Sequence, residues 1–296
     1  MITRFDHAVI AVGDLDQAIG AYRELGFEVV PGGRHENRGT HNALVRFGAD
    51  YLELLAVHDP EKARESGPNG QALAEFTRER RGGLVGYALA TDDVESEAAR
   101  LREAGLELVG PFAMRRERPD GGALTWRLLV PVDVPWRRRW PFFIQWDEPD
   151  EVRLSVNETG THPNGVCSVV GVSVVVNDLD EASELYSILF ASEPFRRDAL
   201  ARLGARRASF DLDGFCVELL AASGEGPVKE MLDEIGEGPF EVRLKVADLD
   251  VAKKRLASAG TSRRDGDSLE ISRKAALGAR LILVDASGDL RVSAQG

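Results

Sequence analysis

Four stretches of the chain share one order of apolar and polar positions: a short run of Val, Ile, Leu and Ala, an aspartate, then a helical period. They read FDHAVIAVGDLDQAIGAYRELGF from residue 5, LVGYALATDDVESEAARLREAGL from 84, VVGVSVVVNDLDEASELYSILF from 169 and FEVRLKVADLDVAKKRLASAG from 240. In the first, Leu15, Ala18, Ile19, Tyr22 and Leu25 fall on one face of a helix, and Gly26 stops it. Val94, Ala98, Leu101 and Ala104 before Gly105 repeat the rule. So do Leu179, Ala182, Tyr186 and Leu189, and then Leu249, Ala252, Leu256 and Ala259 before Gly260. Asp14, Asp93, Asp178 and Asp248 stand just ahead of these helices, where a carboxylate caps free N–H groups and suits the positive end of the dipole.

After each helix come short Val-, Phe-, Leu- and Ile-rich segments broken by turn residues: PGG at 31–33, FGAD at 47–50, PDGG at 119–122 and DASGD at 285–289. Each unit therefore reads as strand, helix and about three strands, a βαβββ module. The modules span about 4–57, 83–147, 168–222 and 238–293. Residues 147–165 lose the periodicity and carry Pro and Gly, so they are expected to link a first domain, 1–150, to a second, 166–296. The fold class is α+β, with four tandem modules forming two cup-shaped domains.

Composition narrows the partners. With 296 residues, 43% hydrophobic and 29% charged, the chain can bury an ordinary core, and its net charge of −12 disfavours nucleic acid and anionic membranes. No segment approaches the roughly 18 apolar residues of a membrane span, and the first residues pass straight into a strand pattern without a basic leader. A cytoplasmic protein with a small-molecule ligand is expected. Cys167 and Cys216 lack metal or disulfide spacing and read as buried thiols.

Two apolar strands break their own pattern. DYLELLAV (50–57) carries Glu53 and FCVELLAA (215–222) carries Glu218, each flanked by leucines. A carboxylate taken out of water costs several kcal/mol unless it is paired, so each needs a partner.

Tandem βαβββ units, the strand-borne histidine of FDHAVIAV and the glutamate of YLELLAV resemble the vicinal oxygen chelate superfamily, which includes glyoxalase I, extradiol dioxygenases and the fosfomycin and bleomycin resistance proteins. GGRHENRGTHN (32–42) with FFIQWDEP (142–149) resembles its glyoxalase-like branch more narrowly. The resemblance implies two glyoxalase-like cups with metal ligands on the first and last strands of each module. Carried over position by position, it assigns His7, Glu53 and Gln145 as metal ligands and leaves Gly86 where a fourth would stand. Glu53 would also be the catalytic base. One divalent ion, Zn, Mn, Fe, Ni or Co, suits imidazole, carboxylate and amide oxygen together. His35 or His41 could substitute from a neighbouring strand. In the second domain the corresponding Gly171, Glu218, Glu241 and Arg291 or Val292 form a degenerate set, and Glu218 is expected to be held by Arg243 or Arg291 as an ion pair.

In the GGRHENRGTHN loop, His35 and Asn42 are expected to contact substrate, against a plain hydrogen-bonded hairpin as the alternative. Trp126, Trp136, Trp140 and Trp146 all fall in the second module among Arg127 and Arg137 to Arg139. Trp126 and Arg127 would receive an anionic substrate under an aromatic wall, while the other arginines suit a solvated loop. His58 and His162 are expected at the surface. No Ser-His-Asp spacing, phosphate loop or dinucleotide fingerprint occurs. Two functions follow: an enzyme using one divalent metal to chelate substrate oxygens, of isomerase or lyase type with dioxygenase ranked lower, or a non-catalytic binding or resistance protein of the same fold. Relatives of this fold pair modules within a chain or across a homodimer, and the sequence leaves both open.

Overall fold

The aspartate-led helices form where the pattern puts them. In the computed structural model of the chain, residues 1–285 are described apart from 36, 81, 118–120, 133–138, 156–160, 258–261 and 266, with the side chains of 155 and 262–265 also left aside. The first module consists of β1 (Ile2–Val12), α1 (Leu15–Glu24), β2 (Val30–His35), β3 (Thr40–Arg46) and β4 (Tyr51–Val57). Two helices that the repeat pattern does not contain, α2 (Pro60–Glu65) and α3 (Pro68–Arg80), follow it. The second module is β5 (Gly82–Thr91), α4 (Val94–Glu103), β6 (Leu108–Glu117), β7 (Ala123–Pro131) and β8 (Phe142–Trp146), closed by α5 (Asp150–Ser155).

The third module is β9 (Val166–Val176), α6 (Leu179–Phe190), β10 (Arg196–Leu200), β11 (Ala205–Leu212) and β12 (Phe215–Ala222). After α7 (Pro227–Glu234), the fourth is β13 (Gly238–Val246), α8 (Leu249–Ala257), β14 (Ser262–Asp265), β15 (Ser268–Ile271) and β16 (Leu281–Asp285). Asp14, Asp93, Asp178 and Asp248 each accept a backbone N–H from the first turn of their helix. Gly26 and Gly105 follow α1 and α4 with φ of +81° and +87°, the left-handed turn that a side chain would strain. No helix among the described residues is long and apolar enough to cross a membrane.

Modules pair within the chain. The first two close into a barrel of order β1-β4-β3-β2-β6-β7-β8-β5, with β1 antiparallel to β5 and each first strand parallel to its own last strand. Among the described residues, β2 and β6 close the barrel through one paired rung, His35 opposite Arg116. The last two modules repeat the order as an open sheet, β10-β11-β12-β9-β13-β16-β15-β14. One apolar core runs through both sheets. Phe5 stacks on Phe215 at 4.4 Å, the Tyr87 and Tyr186 hydroxyls meet at 2.8 Å, and Asp50 accepts the Val169 N–H at 2.7 Å.

The described residues of the expected linker are structured. Its first half forms α5, and its end carries His162 and Asn164, both buried rather than exposed. His162 accepts the Glu28 N–H through Nδ1 and meets the Arg46 carbonyl through Nε2. Asn164 donates to the Leu25 carbonyl, so the polar residues of this stretch satisfy the backbone around the end of α1. His58 is exposed as expected; Cys216 is buried but Cys167 is exposed, because residue 167 lies on the outward face of β9.

The second sheet answers the question raised by Glu218. Arg243 meets one of its oxygens and Arg207 donates to the other at 2.9 Å, while Arg207 also grips Asp198 at 2.6 and 2.8 Å. Ser173 stands between Glu218 and Glu241, 3.3 Å from each, and Arg280 donates to Glu241 at 3.0 Å. Arg291 and Val292 lie outside the described residues. Register makes Ile282 on β16 the final-strand counterpart, since it pairs with Arg243 as Glu218 pairs with Ser173. Any Cβ on Gly171 would sit 3.4 Å from Arg243 Nε, so a guanidinium fills the space that an imidazole on β9 would need. Burial pushes the Glu218 carboxyl up, but Arg243 and then Arg207 outweigh it and hold it below the usual carboxylate range.

Candidate active site inside the barrel

A cavity of about 210 Å³ lies within the closed barrel. Strand alternation turns Tyr51, Glu53 and Leu55 of β4 inward, and the antiparallel register sets Arg46, Leu44 and Asn42 of β3 opposite them on the same face. His7 comes from β1, His35 from β2, Arg116 from β6, Trp126 from β7, and Phe142, Ile144 and Trp146 from β8. Ser66, Asn69, Gly70 and Leu73 of the α2–α3 insertion add one wall. The Gly-Gly pair has a steric role here. A Cβ on Gly32 would lie 2.0 Å from Asn42 Oδ1 and 3.0 Å from Arg116 Nη1, so only glycine lets those two side chains meet across β2.

Glu53 is the meeting point. His7 Nε2 approaches its Oε2 at 3.6 Å, His35 Nε2 approaches its Oε1 at 3.9 Å, and Asn42 donates to Oε1 through Nδ2. Each imidazole is anchored at its other nitrogen: His7 Nδ1 by Asp6 at 2.7 Å and His35 Nδ1 by the Thr40 hydroxyl at 2.9 Å. Asn42 is oriented in turn by Arg116 Nη1, 3.2 Å from its Oδ1. Asp6 is fully buried and also accepts from Arg4 and Trp146, both at 2.9 Å. Burial raises the Asp6 carboxyl, yet the His7 hydrogen bond and charge, with Arg4 and Arg153 behind them, hold it below the ordinary range as a carboxylate. Burial pushes His35 down to about 4; Glu53 opposes this, and Arg116 and Arg38 counter Glu53. His35 is therefore neutral at physiological pH.

Two expected site residues point elsewhere. Gln145 sits outside the cavity, its amide donating to the Asp92 carbonyl at 2.8 Å and accepting the Val94 N–H at 2.9 Å, so both ends are spent on the start of α4. Register explains the error: Val9 pairs with Glu53, its counterpart Ala88 pairs with Phe142, and the second-module equivalent of Glu53 is thus Phe142. Phe142 packs edge-on to His7 at 5.4 Å and lies 3.7 Å from where a Cβ on Gly86 would be. Arg127 faces away too, 3.9 Å from Glu95 and from Asp147, while its neighbour Trp126 faces in. Gln145→Ala is expected to cost about 1 kcal/mol, the scale of a lost helix cap, in denaturant unfolding and to leave ligand affinity unchanged. A drop in affinity would restore Gln145 to the site.

His7, Glu53, His35, Asn42 and Trp126 are brought together. Asp6, Tyr51 and Arg116 were not singled out from sequence. Asp6 carried a usable signal, a carboxylate next to His7 within an apolar strand. Trp140 and Trp146 line the cavity, and Trp136, Arg137 and Arg138 lie outside the described residues. Among the described residues no three of His, Cys, Asp and Glu are gathered as in a formed metal site. Two Nε2 atoms aimed at one carboxylate nonetheless form a donor set of the right chemistry for a divalent cation.

Paired βαβββ modules enclosing a histidine and a glutamate on first and last strands define the vicinal oxygen chelate class. Within it, the chain belongs to the glyoxalase-like domain family, whose model matches residues 5–190. That span takes in β9 and α6, the part of the second sheet packed on the barrel through Tyr186. Among solved structures, a hypothetical protein from Staphylococcus aureus is 20% identical, with 95% of this chain and 98% of that one covered at a TM-score of 0.70. A mutant of 4-hydroxymandelate synthase from Streptomyces coelicolor is 15% identical, with 97% and 93% covered at 0.65. Methylmalonyl-CoA epimerase from Mycobacterium tuberculosis is 28% identical over 43% of this chain and 93% of its own, at 0.38. The first two share the fold over nearly the whole chain. No curated protein matches it.

Proposed function

We propose that the protein is a small-molecule enzyme working at Glu53 inside the barrel, with one divalent cation held by His7, His35 and Glu53. The observation that carries this reading is the common aim of two imidazoles at one carboxylate, each with its Nδ1 already engaged. Metal-ligating histidines are held this way, because a partner at Nδ1 fixes the tautomer and turns the Nε2 lone pair toward the ion. His35 is kept in the neutral form that ligation requires.

When bound, the cation supplies Lewis-acid polarisation of substrate oxygens. The chain does the rest. Asn42 fixes one oxygen of Glu53 and leaves the other beside His7, free to take a proton from a substrate carbon or hydroxyl. Asp6 holds His7 at Nδ1 and so keeps its Nε2 turned toward Glu53. Trp126, Trp146 and Phe142 exclude water and enclose an apolar substrate body, which strengthens each of these interactions. Proton movement beside a polarised oxygen is isomerase or lyase chemistry.

A second reading, ligand binding without turnover, is favoured by Phe142 and Gly86, which occupy the other two ligand positions with an apolar ring and no side chain. Metal analysis of tag-free protein purified without chelator separates the two. Stoichiometric metal that is lost in His7→Ala and His35→Ala, with the fold intact by circular dichroism, supports the enzyme. Well-folded parent protein without metal, and unable to take it up on dialysis, supports the binder.

A further inference from the structure

Arg38 brings a positive charge to the cavity wall with no acid to balance it. It sits in the turn between β2 and β3, where its N–H meets the His35 carbonyl at 3.3 Å, so its side chain starts one turn away from an imidazole of the site. The two residues that follow fix this turn. Gly39, at φ +61°, packs it on α2, where a Cβ would lie 2.3 Å from the Asp59 carbonyl oxygen, and Thr40 holds His35. One hairpin thus places both Arg38 and His35.

The Arg38 side chain is half-buried and lines the cavity. Among the described residues it meets Met114, whose Sδ lies 3.4 Å from Nη2, and the Phe112 ring, 5.8 Å from the guanidinium carbon. A thioether is a weak acceptor, and a ring at that distance contributes about 0.5–1 kcal/mol. Neither is an anion. Glu53, the acid of the cavity, is taken up by Asn42 and the two imidazoles. Burial pushes the Arg38 pKa down with nothing set against it, yet an arginine stays charged at physiological pH. Its remaining N–H groups are not sealed from solvent as Nε and Nη1 of Arg46 are, so a ligand can reach them.

Met114 joins this charge to the aromatic wall. It pairs across β6 and β7 with Trp126, whose indole meets His35 edge-on at 6.4 Å. A short apolar stretch therefore leads from the guanidinium to the polar cluster at Glu53.

We infer that the ligand of this cavity carries an oxyanion, carboxylate or phosphate, that docks on Arg38, with its apolar body along Met114 and Trp126 toward Glu53. The planar fork of a guanidinium takes two oxygens of either group. A cavity of about 210 Å³, below the ~300–1,000 Å³ of drug-sized sites, limits the body to a single ring or short chain. Arg38 thus takes the part that the sequence offered to Arg127, which faces away. The inference deepens the proposed function by naming its substrate class, and rests on that reading in placing the ligand inside the barrel.

Tryptophan fluorescence gives the test, because Trp126 and Trp146 face the cavity. Chelator-treated protein is titrated with phenylacetate and phenyl phosphate, and with neutral phenylacetamide and phenol. Saturable quenching at least about tenfold tighter for an anion than for its neutral counterpart is expected, as charge-assisted hydrogen bonds imply, and the tighter anion names the group. Arg38→Met, which keeps an apolar stem against Met114 and Phe112, is expected to bring anion and neutral probe near parity. Arg38→Lys retains part of the preference, Arg127→Met all of it, and Arg38→Gln repeats the measurement if Arg38→Met does not fold. A preference that survives loss of the Arg38 charge, or that falls in Arg127→Met, overturns the inference. So do equal affinities in the parent and the absence of saturable quenching by either anion. The outcome separates from that of the metal analysis: Arg38-dependent binding to a protein unable to hold metal sinks the enzyme reading alone, and a metal-holding protein indifferent to the anion sinks this inference alone.

Discussion

Replacing Glu218 with alanine is expected to destabilise the protein by about 3–5 kcal/mol, the usual cost of stranding a buried charge. Two guanidiniums, of Arg243 and Arg207, share this one carboxylate at 4% exposure, and Arg207 retains Asp198 when it is lost. Among the described residues Arg243 keeps Ser173 and the more distant Glu241. The double variant Glu218→Leu/Arg243→Leu is therefore expected to recover most of the loss, because removing both charges replaces an orphan with apolar contact. Urea unfolding measures both. A single variant with the parent's midpoint would mean that water reaches the pair. The acid limb gives an independent check. Since the Glu218 pKa is lower in the folded than in the unfolded chain, its contribution is present above the unfolded value near 4.3 and is lost as pH falls through the folded one. Glu218→Gln is expected to flatten that part of the stability profile.

The second large effect concerns the half of the ligand set that the barrel lacks. Installing it as Gly86→His with Phe142→Glu is expected to raise divalent-cation affinity at least on the order of 10–100-fold, the range that losing a mere supporting partner already spans. Residue 86 has the room. Its backbone needs no left-handed turn, and the only atom within 4 Å of a Cβ there is Phe142 Cε1, which the second substitution removes. Phe142 holds the position symmetric to Glu53, so the new pair would face the old one across the cavity. Calorimetric titration with Zn or Mn reads the result. No gain would show that His7 and Glu53 are not aimed at an ion.

The repeats were legible because each helix carries its own aspartate cap, and α1 and α4 a glycine stop as well, signals that act locally. The α2–α3 and α7 insertions were not, since α3 shows only a weak apolar face and lies outside the repeat. Glu53 and Glu218 announced themselves as charges in apolar strands, and Arg243 followed from alternation on β13. Gln145 failed because counting from an aspartate does not fix register across residues 132–141: it falls three positions past Phe142, an odd slip that exchanges inward for outward. Arg127 failed because it neighbours the inward Trp126 on β7, and successive strand residues face opposite ways. Arg116 was invisible as a site residue because only the sheet's closure brings β6 beside β2.

Among the described residues that closure shows one paired rung, His35 with Arg116, where neighbouring strands share several. The closing rung and the polar lining of the cavity are thus built from the same two residues. The unrolled second sheet is the same hoop without its clasp.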